Sequence, residues 1–351
     1  MSIFRSLLVA VAIASSLAGC SSTDAAGTDP PPAATINGGT ATEDSGAASS
    51  SSGGSSGDAS SGGGDAGPDL SEIHRHMSQM LTSFWENDTT VFQYAFARNN
   101  NDGYGYTSGR VGFTTATGDS YEVVQCFGAA FTSPGNLLKK YEPQLKALRD
   151  KMLATGQIQP DISKLDAIGN YLADWKATAN SASTGPAFNG CQDQQVELTY
   201  WTPTLPIMKK WGLATALARA SVYDATVVHG EDNVKELARL ANVDTGNGAQ
   251  TPATASLSAT AESSWLKAFH IHRATLVNSS IAWRAAIARV ANYEQWRRDG
   301  NLGFTSPIVT SATANVVFPG NSYTSNGYQA CVIHPDGSVS GPAQCTAPVS
   351  N

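Results

Sequence analysis

Apolar positions fall at helical spacing from residue 70 onward. Asp69-Leu70-Ser71 opens a helix, and Ile73, Met77, Met80, Leu81 and Phe84 follow at mixed three- and four-residue intervals. A second short helix is predicted over Thr89 to Arg98. Gly103 to Gly118, rich in Gly, Thr and Tyr around a Ser-Gly turn, reads as a small antiparallel sheet. Helices are predicted near 120–131, 135–153 and 161–178. The strongest helical stretch runs from Pro206 to Val228, where Leu213, Leu217, Ala220, Asp224 and Val228 share one stripe. A carboxylate in an apolar stripe is costly unless paired, so Asp224 predicts an arginine partner. A last helical region spans about Ser256 to Arg298, with a break near Asn278-Ser279-Ser280. The outline is mainly α with one small sheet, which suits two lobes flanking a cleft.

The first 68 residues follow a different pattern. Arg5 precedes a short apolar run, Ser6 to Ser16, which reads as a cleaved leader over 1–19 and not as a membrane span. Leu17-Ala18-Gly19-Cys20 resembles the bacterial lipobox. That resemblance implies lipid attachment at Cys20 and an exported protein anchored at the cell surface or envelope; a plain secretory signal is the alternative. Residues 20–68 form a Ser/Gly/Ala/Asp tract without aromatics, too polar to offset its chain entropy, and are expected to be a tether. Residues 69–351 form the expected catalytic domain, with 307–351 as its C-terminal tail.

Charge follows the same division. The chain carries a net charge of −7, but seven of its 29 acids (Asp24, Asp29, Glu43, Asp44, Asp58, Asp65 and, at the junction, Asp69) lie in the first 69 residues, where Arg5 is the only base. From residue 70 onward there are 22 acids against 21 bases. No basic stripe marks a nucleic-acid partner. An even set of cysteines remains in an exported domain, which favours disulfides. Cys331 and Cys345 flank a Pro-Asp-Gly turn and are paired, leaving Cys126 with Cys191. No metal site is expected: Cys-x-x-Cys spacing is absent, and neither His74/His76 nor His270/His272 shares a helix face.

Candidate chemistry is concentrated between Glu86 and Asp119. Glu86 follows Phe84 and Trp85 at the end of an apolar helix, a setting that suits a proton donor. Asp102 lies in an Asn-Asp-Gly turn open to water, a setting that suits a base. Two carboxylates on different elements are what glycoside hydrolysis requires. Asp88 is a second candidate acid by proximity, although capping a following helix with Thr89 explains it as well. Asp119 can cap the helix after the sheet, bind substrate, or do both.

Glu86-Asn87 with Gln93-Tyr94, then Asp102-Gly103, Gly105-Tyr106-Thr107, Gly112-Phe113 and Thr117-Gly118-Asp119, resembles the bacterial chitosanases of glycoside hydrolase family 46. Tyr223-Asp224-Ala225, Val227 and His229-Gly230 resemble a second block of that family. Ala288-Arg289-Val290 and Gly300-Asn301-Leu302 resemble a third, so the likeness covers roughly 70–305. It implies an α+β, mainly α, lysozyme-like two-lobed fold with a small antiparallel sheet beside the cleft. It also implies inverting endo-hydrolysis of β-1,4-linked glucosamine polymer, with no cofactor and a monomeric enzyme. Carried onto this sequence, Glu86 is the general acid, Asp102 the general base, and Thr107 helps hold the attacking water. Asp119, Tyr104, Gly112 and His229 line the substrate side, His229 in the hinge or cleft wall. Arg289, Asp224 and Arg273 form an ion network behind Glu86. Two positions depart from the family: Tyr104 stands where an arginine is common, and Arg98 where an acid is common. The alternatives are another lysozyme-superfamily activity, such as peptidoglycan cleavage, and a glycan-binding lipoprotein without catalysis.

Overall fold

Ser71 opens the first helix, α1 (Glu72–Asn87), by accepting the His74 N–H on its hydroxyl. The computed structural model describes residues 71–246, 256–279, 286–310, 315–318, 321–324 and 330–347. The expected leader, Cys20 and the tether lie outside these residues. Met77, Met80, Leu81 and Phe84 form the buried face of α1. The helix stops at Asp88, which takes a left-handed φ of 58° and donates its N–H to the Phe84 carbonyl at 2.8 Å. Asp88 thus caps the helix before it, not one after it.

The helix expected over 89–98 does not form. Thr89 and Thr90 are buried and direct their hydroxyls to carbonyls near residue 345, and Ser83 Oγ holds the Val91 carbonyl at 3.0 Å. The chain instead enters a three-stranded antiparallel sheet of β1 (Ala97–Asn99), β2 (Tyr106–Ser108) and β3 (Phe113–Thr114), in that order. Thr107 lies in the middle strand, opposite Arg98 and Thr114. Gly105 (φ 71°) lets the chain re-enter β2, because a Cβ there would meet Thr115 Oγ1 at 2.3 Å.

Helices α2 (Asp119–Ala130), α3 (Glu142–Thr155), α4 (Ser163–Asp166), α5 (Tyr171–Asn180) and α6 (Gly185–Val196) follow, and α6 runs into a π-helical turn over Glu197–Trp201. The helix expected over 161–178 is two helices. Asn170 separates them and caps α5 by accepting the Ala173 N–H at 3.0 Å. The long stretch from Pro206 is also divided, into α7 (Thr204–Lys210) and α8 (Ala216–His229). Gly212, at φ 66°, ends α7, and Thr215 caps α8 through the Ala218 N–H. Then come α9 (Glu231–Asp244), α10 (Ala259–Ser279) and α11 (Ile287–Arg298). The C-terminal strands are β4 (Ile308–Thr310), β5 (Asn315–Phe318), β6 (Asn321–Thr324), β7 (Cys331–Ile333) and β8 (Val339–Ser340). β7 pairs with both β4 and β8, and β5 pairs with β6.

Two cores result. Met77, Leu81 and Phe84 of α1 join Leu217, Tyr223, Trp265, Phe269 and Tyr293 in the larger. Phe113 joins Val124, Phe127, Trp175 and Phe188 in the smaller. Tyr200, on the π-helical turn, packs against both. The fold is the α+β, mainly helical, two-lobed arrangement expected, but the single small sheet of that expectation is joined by two more among the described residues, both formed by the chain after residue 307. Cys126 is bonded to Cys191, joining α2 to α6, and Cys331 to Cys345. Among the described residues, no helix is long and apolar enough to cross a membrane.

Candidate active site

Glu86 leaves the last turn of α1 at the margin of the larger core, with 9% of its side chain exposed. Arg289 of α11 donates from one guanidinium nitrogen to Glu86 Oε1 and from another to Asp224 Oδ1 at 3.2 Å. Arg273 of α10 donates to the second Asp224 oxygen at 2.7 Å, and Thr82 Oγ1 approaches Oδ1 at 3.4 Å. Four helices thus meet on one fully buried carboxylate: α8 carries it, α10 and α11 bring the guanidinium groups, and α1 reaches it through Thr82 and, by way of Arg289, through Glu86. Burial alone would lower the Arg289 pKa, but Glu86 and Asp224 outweigh it and raise it above the usual arginine range.

His229 lies behind this network. It is buried, and its Nε2 faces Arg273 Nε at 3.3 Å. His229 thus stands next to the arginines of the network, with 4% of its surface exposed. Burial and then the positive charges of Arg273 and Arg289 hold its pKa well below 6.5. The folded state keeps this imidazole neutral, so stability falls as pH drops below the ordinary value of 6.5, where the unfolded imidazole takes a proton.

Asp102 is on the other lobe, exposed in the β1–β2 loop. Its Oδ1 accepts the Tyr104 N–H at 3.0 Å, and flanking positive-φ residues Asn101 and Gly103 shape the turn. Tyr104 is partly buried beside it; burial first and then the Asp102 charge raise its phenol pKa. Thr107 stands on the adjacent strand. Asn100 donates to Thr107 Oγ1 at 3.0 Å and is itself held by Arg98 Nε on its Oδ1. Since Asn100 fills an acceptor site on Thr107, the hydroxyl proton is left to point elsewhere. Arg98, which departs from the family pattern, thus acts on Thr107 through Asn100. No local pattern signals this relay, because it depends on pairing across the sheet.

Asp119 opens α2. Its Oδ1 accepts from Thr114 N at 2.7 Å, Thr117 Oγ1 at 2.8 Å and Ser120 N at 3.0 Å. Burial pushes its pKa up to about 6, against those three hydrogen bonds. Gly112 turns β2 into β3 with φ 76°. Tyr200 was not anticipated. Its phenol pKa is raised by burial, then by the charges of Asp119, Tyr223 and Glu86, so one ring senses carboxylates from both lobes. Among the described residues, no group of three or more His, Cys, Asp or Glu is arranged to hold a metal.

An apolar-flanked carboxylate on one lobe, and on the other an exposed carboxylate in the loop that leads to a strand carrying a held threonine, define the class of site found in two-carboxylate glycoside hydrolases. The chain belongs to glycosyl hydrolase family 46, whose model matches residues 80–308. It is 32% identical over 249 residues to a chitosanase of Bacillus subtilis strain 168, covering 68% of this chain and 82% of that one. The crystal structure of native chitosanase from Bacillus subtilis MY002 aligns with a TM-score of 0.56 and 32% identity, over 69% of this chain and 95% of that chain. A mutant of that enzyme in complex with six glucosamine units aligns with a TM-score of 0.55 and 29% identity, over 74% of this chain and 98% of the other.

Proposed function

We propose that this glycoside hydrolase is an endo-acting, inverting chitosanase with Glu86 as general acid and Asp102 as general base. The reading rests on family membership, on the chitosanases it resembles, and above all on the placement of Glu86 and Asp102 on opposite lobes. Glu86 gives its proton to the glycosidic oxygen as the C1–O bond breaks. Asp102 takes a proton from water, whose oxygen bonds to C1 from the opposite face, inverting the anomeric centre. Thr107, held by Asn100, orients that water. Arg289 stabilises the carboxylate that Glu86 becomes. Inverting enzymes keep the two carboxyl groups about 6.5–9.5 Å apart, leaving room for the water.

Asp119 binds a substrate ammonium group through the oxygen not engaged by Thr114, Thr117 and Ser120. Only the ionised carboxylate does this, and with its pKa at about 6 it ionises as pH rises through that value. The KM for a soluble glucosamine hexamer should therefore fall several-fold between pH 5 and 7 in the wild type relative to Asp119→Asn. Parallel KM profiles in the two proteins would remove Asp119 from the binding site. Export through the leader at 1–19, with lipid on Cys20 and 20–68 as tether, completes the proposal; the enzyme acts as a monomer at the cell surface or envelope.

The test is anomeric proton NMR of highly deacetylated chitosan digested by residues 69–351. Short glucosamine oligomers with α-anomers appearing first are expected. β-anomers first would overturn inversion, and cleavage of peptidoglycan in place of chitosan would overturn the substrate.

A further inference from the structure

The family match ends at residue 308, yet the chain beyond it packs on the segment that follows Glu86. The Cys345 carbonyl accepts from Thr90 N at 3.1 Å and Thr90 Oγ1 at 2.7 Å, with Thr89 Oγ1 at 3.3 Å. The single Thr89 hydroxyl proton is directed at the Ala347 carbonyl at 2.8 Å, with the longer Cys345 approach as the second arm of a bifurcated bond. Both threonines are buried, at 1% and 4% exposure, and both lie within four residues of Glu86. The nearby chain uses the Thr89 hydroxyl only as an acceptor, from Val91 N at 3.2 Å; α1 has ended at Asp88 and β1 does not begin until Ala97, so the threonine donors turn to the tail.

The Cys345 carbonyl is itself held in place. Its disulfide fixes it to Cys331, and both cysteines are fully buried in the same core as Met77, Leu81 and Phe84 of α1. Cys331 pairs with Thr310 of β4, and the Thr310 hydroxyl both accepts the Cys331 N–H at 3.0 Å and donates to its carbonyl at 3.1 Å. Gly341 lets the chain close this ring, since a Cβ there would lie 2.9 Å from the Ala330 carbonyl and 3.1 Å from Cys345 Sγ. The ring is thus built on the larger core, and the Cys345 carbonyl, together with that of Ala347 just beyond it, takes the Thr89 and Thr90 donors of the segment that leaves α1.

We propose that the Cys331–Cys345 ring is a clamp that positions Glu86, with Thr89 and Thr90 as the positioning residues through which it acts. Arg289 binds the carboxylate, and the clamp fixes the backbone from which it projects. A general acid is sensitive to small displacements, because a shift of about 1 Å from the productive geometry can cost about 10²-fold in rate. Thr89 and Thr90 are buried against the tail and hold the backbone that follows Glu86, so the effect is expected in kcat.

The inference rests on Glu86 being the general acid, and the experiment separates the two. In the full chain, Thr89→Val/Thr90→Val should lower kcat on a glucosamine hexamer about tenfold, leave KM within about twofold, and displace the pH profile of kcat. Thr90→Ser, which keeps the donor, should restore wild-type kcat. Cys331→Ala/Cys345→Ala should reproduce the threonine pair; if that protein does not fold, the threonine pair decides. Wild-type kcat and pH profile in the folded threonine pair, whatever its melting temperature, would overturn the clamp. Glu86→Gln is measured alongside. An inactive Glu86→Gln with a normal threonine pair rejects the clamp alone, whereas an active Glu86→Gln rejects the acid assignment on which it rests.

Discussion

Glu86→Gln and Asp102→Asn should each lower kcat on chitosan by about 10²–10⁴-fold while leaving the fold intact, since positioned acid–base groups contribute factors of that size. The two losses arise differently. At Glu86 the amide keeps an oxygen for Arg289 and has nearly the same shape, so the network persists without the proton that the leaving group needs. At Asp102 the side chain is exposed, and an asparagine oxygen can still accept the Tyr104 N–H, so the loop persists without the base. Melting temperatures within a degree or two of wild type, together with the loss of kcat, would complete the assignment. A small external nucleophile such as azide should recover part of the rate in Asp102→Asn only, because there the attacking group alone is impaired. Substantial activity in both variants, with folding unchanged, would place the acid and base elsewhere.

Asp224 shows where sequence reasoning reaches furthest. A carboxylate in an apolar stripe demands a partner, and two guanidinium groups are found there. α1 was legible for a similar reason, because its cap and its buried face are both local. The errors fall where distant chain decides local structure. Thr89 and Thr90 look able to continue a helix, but their hydroxyls bind carbonyls more than 250 residues away. The break between α7 and α8 carries a local signal in Gly212, but its geometry is completed by Glu262 of α10, which accepts the Ala214 and Thr215 N–H groups. α9 was missed although Val234, Leu237, Ala238 and Ala241 carry helical spacing. Tyr200 and Asn100 had no readable signal: one acts by touching both cores, the other through a cross-sheet contact.

The ion network should separate stability from catalysis. Asp224→Ala removes the carboxylate shared by Arg273 and Arg289. Arg273, fully buried, is then left facing His229, which burial and neighbouring charge keep neutral and unable to balance it. Stranding a buried charge costs about 3–5 kcal/mol, and at about 2–4 °C per kcal/mol for a chain of this size the melting temperature should fall by about 10 °C. Arg289→Ala acts at the other end. Asp224 keeps its 2.7 Å contact with Arg273, so the interior remains partly paired, whereas Glu86 loses its guanidinium partner. The expected result is a smaller melting shift than in Asp224→Ala but a loss of kcat approaching that of Glu86→Gln, because the carboxylate formed on proton transfer is no longer stabilised or aimed. Thermal melts and kcat measured on the same two preparations decide the matter. Equal melting shifts with equal residual activity would mean that the four groups act as one structural unit, with no division between the buried pair and the pair that reaches the substrate.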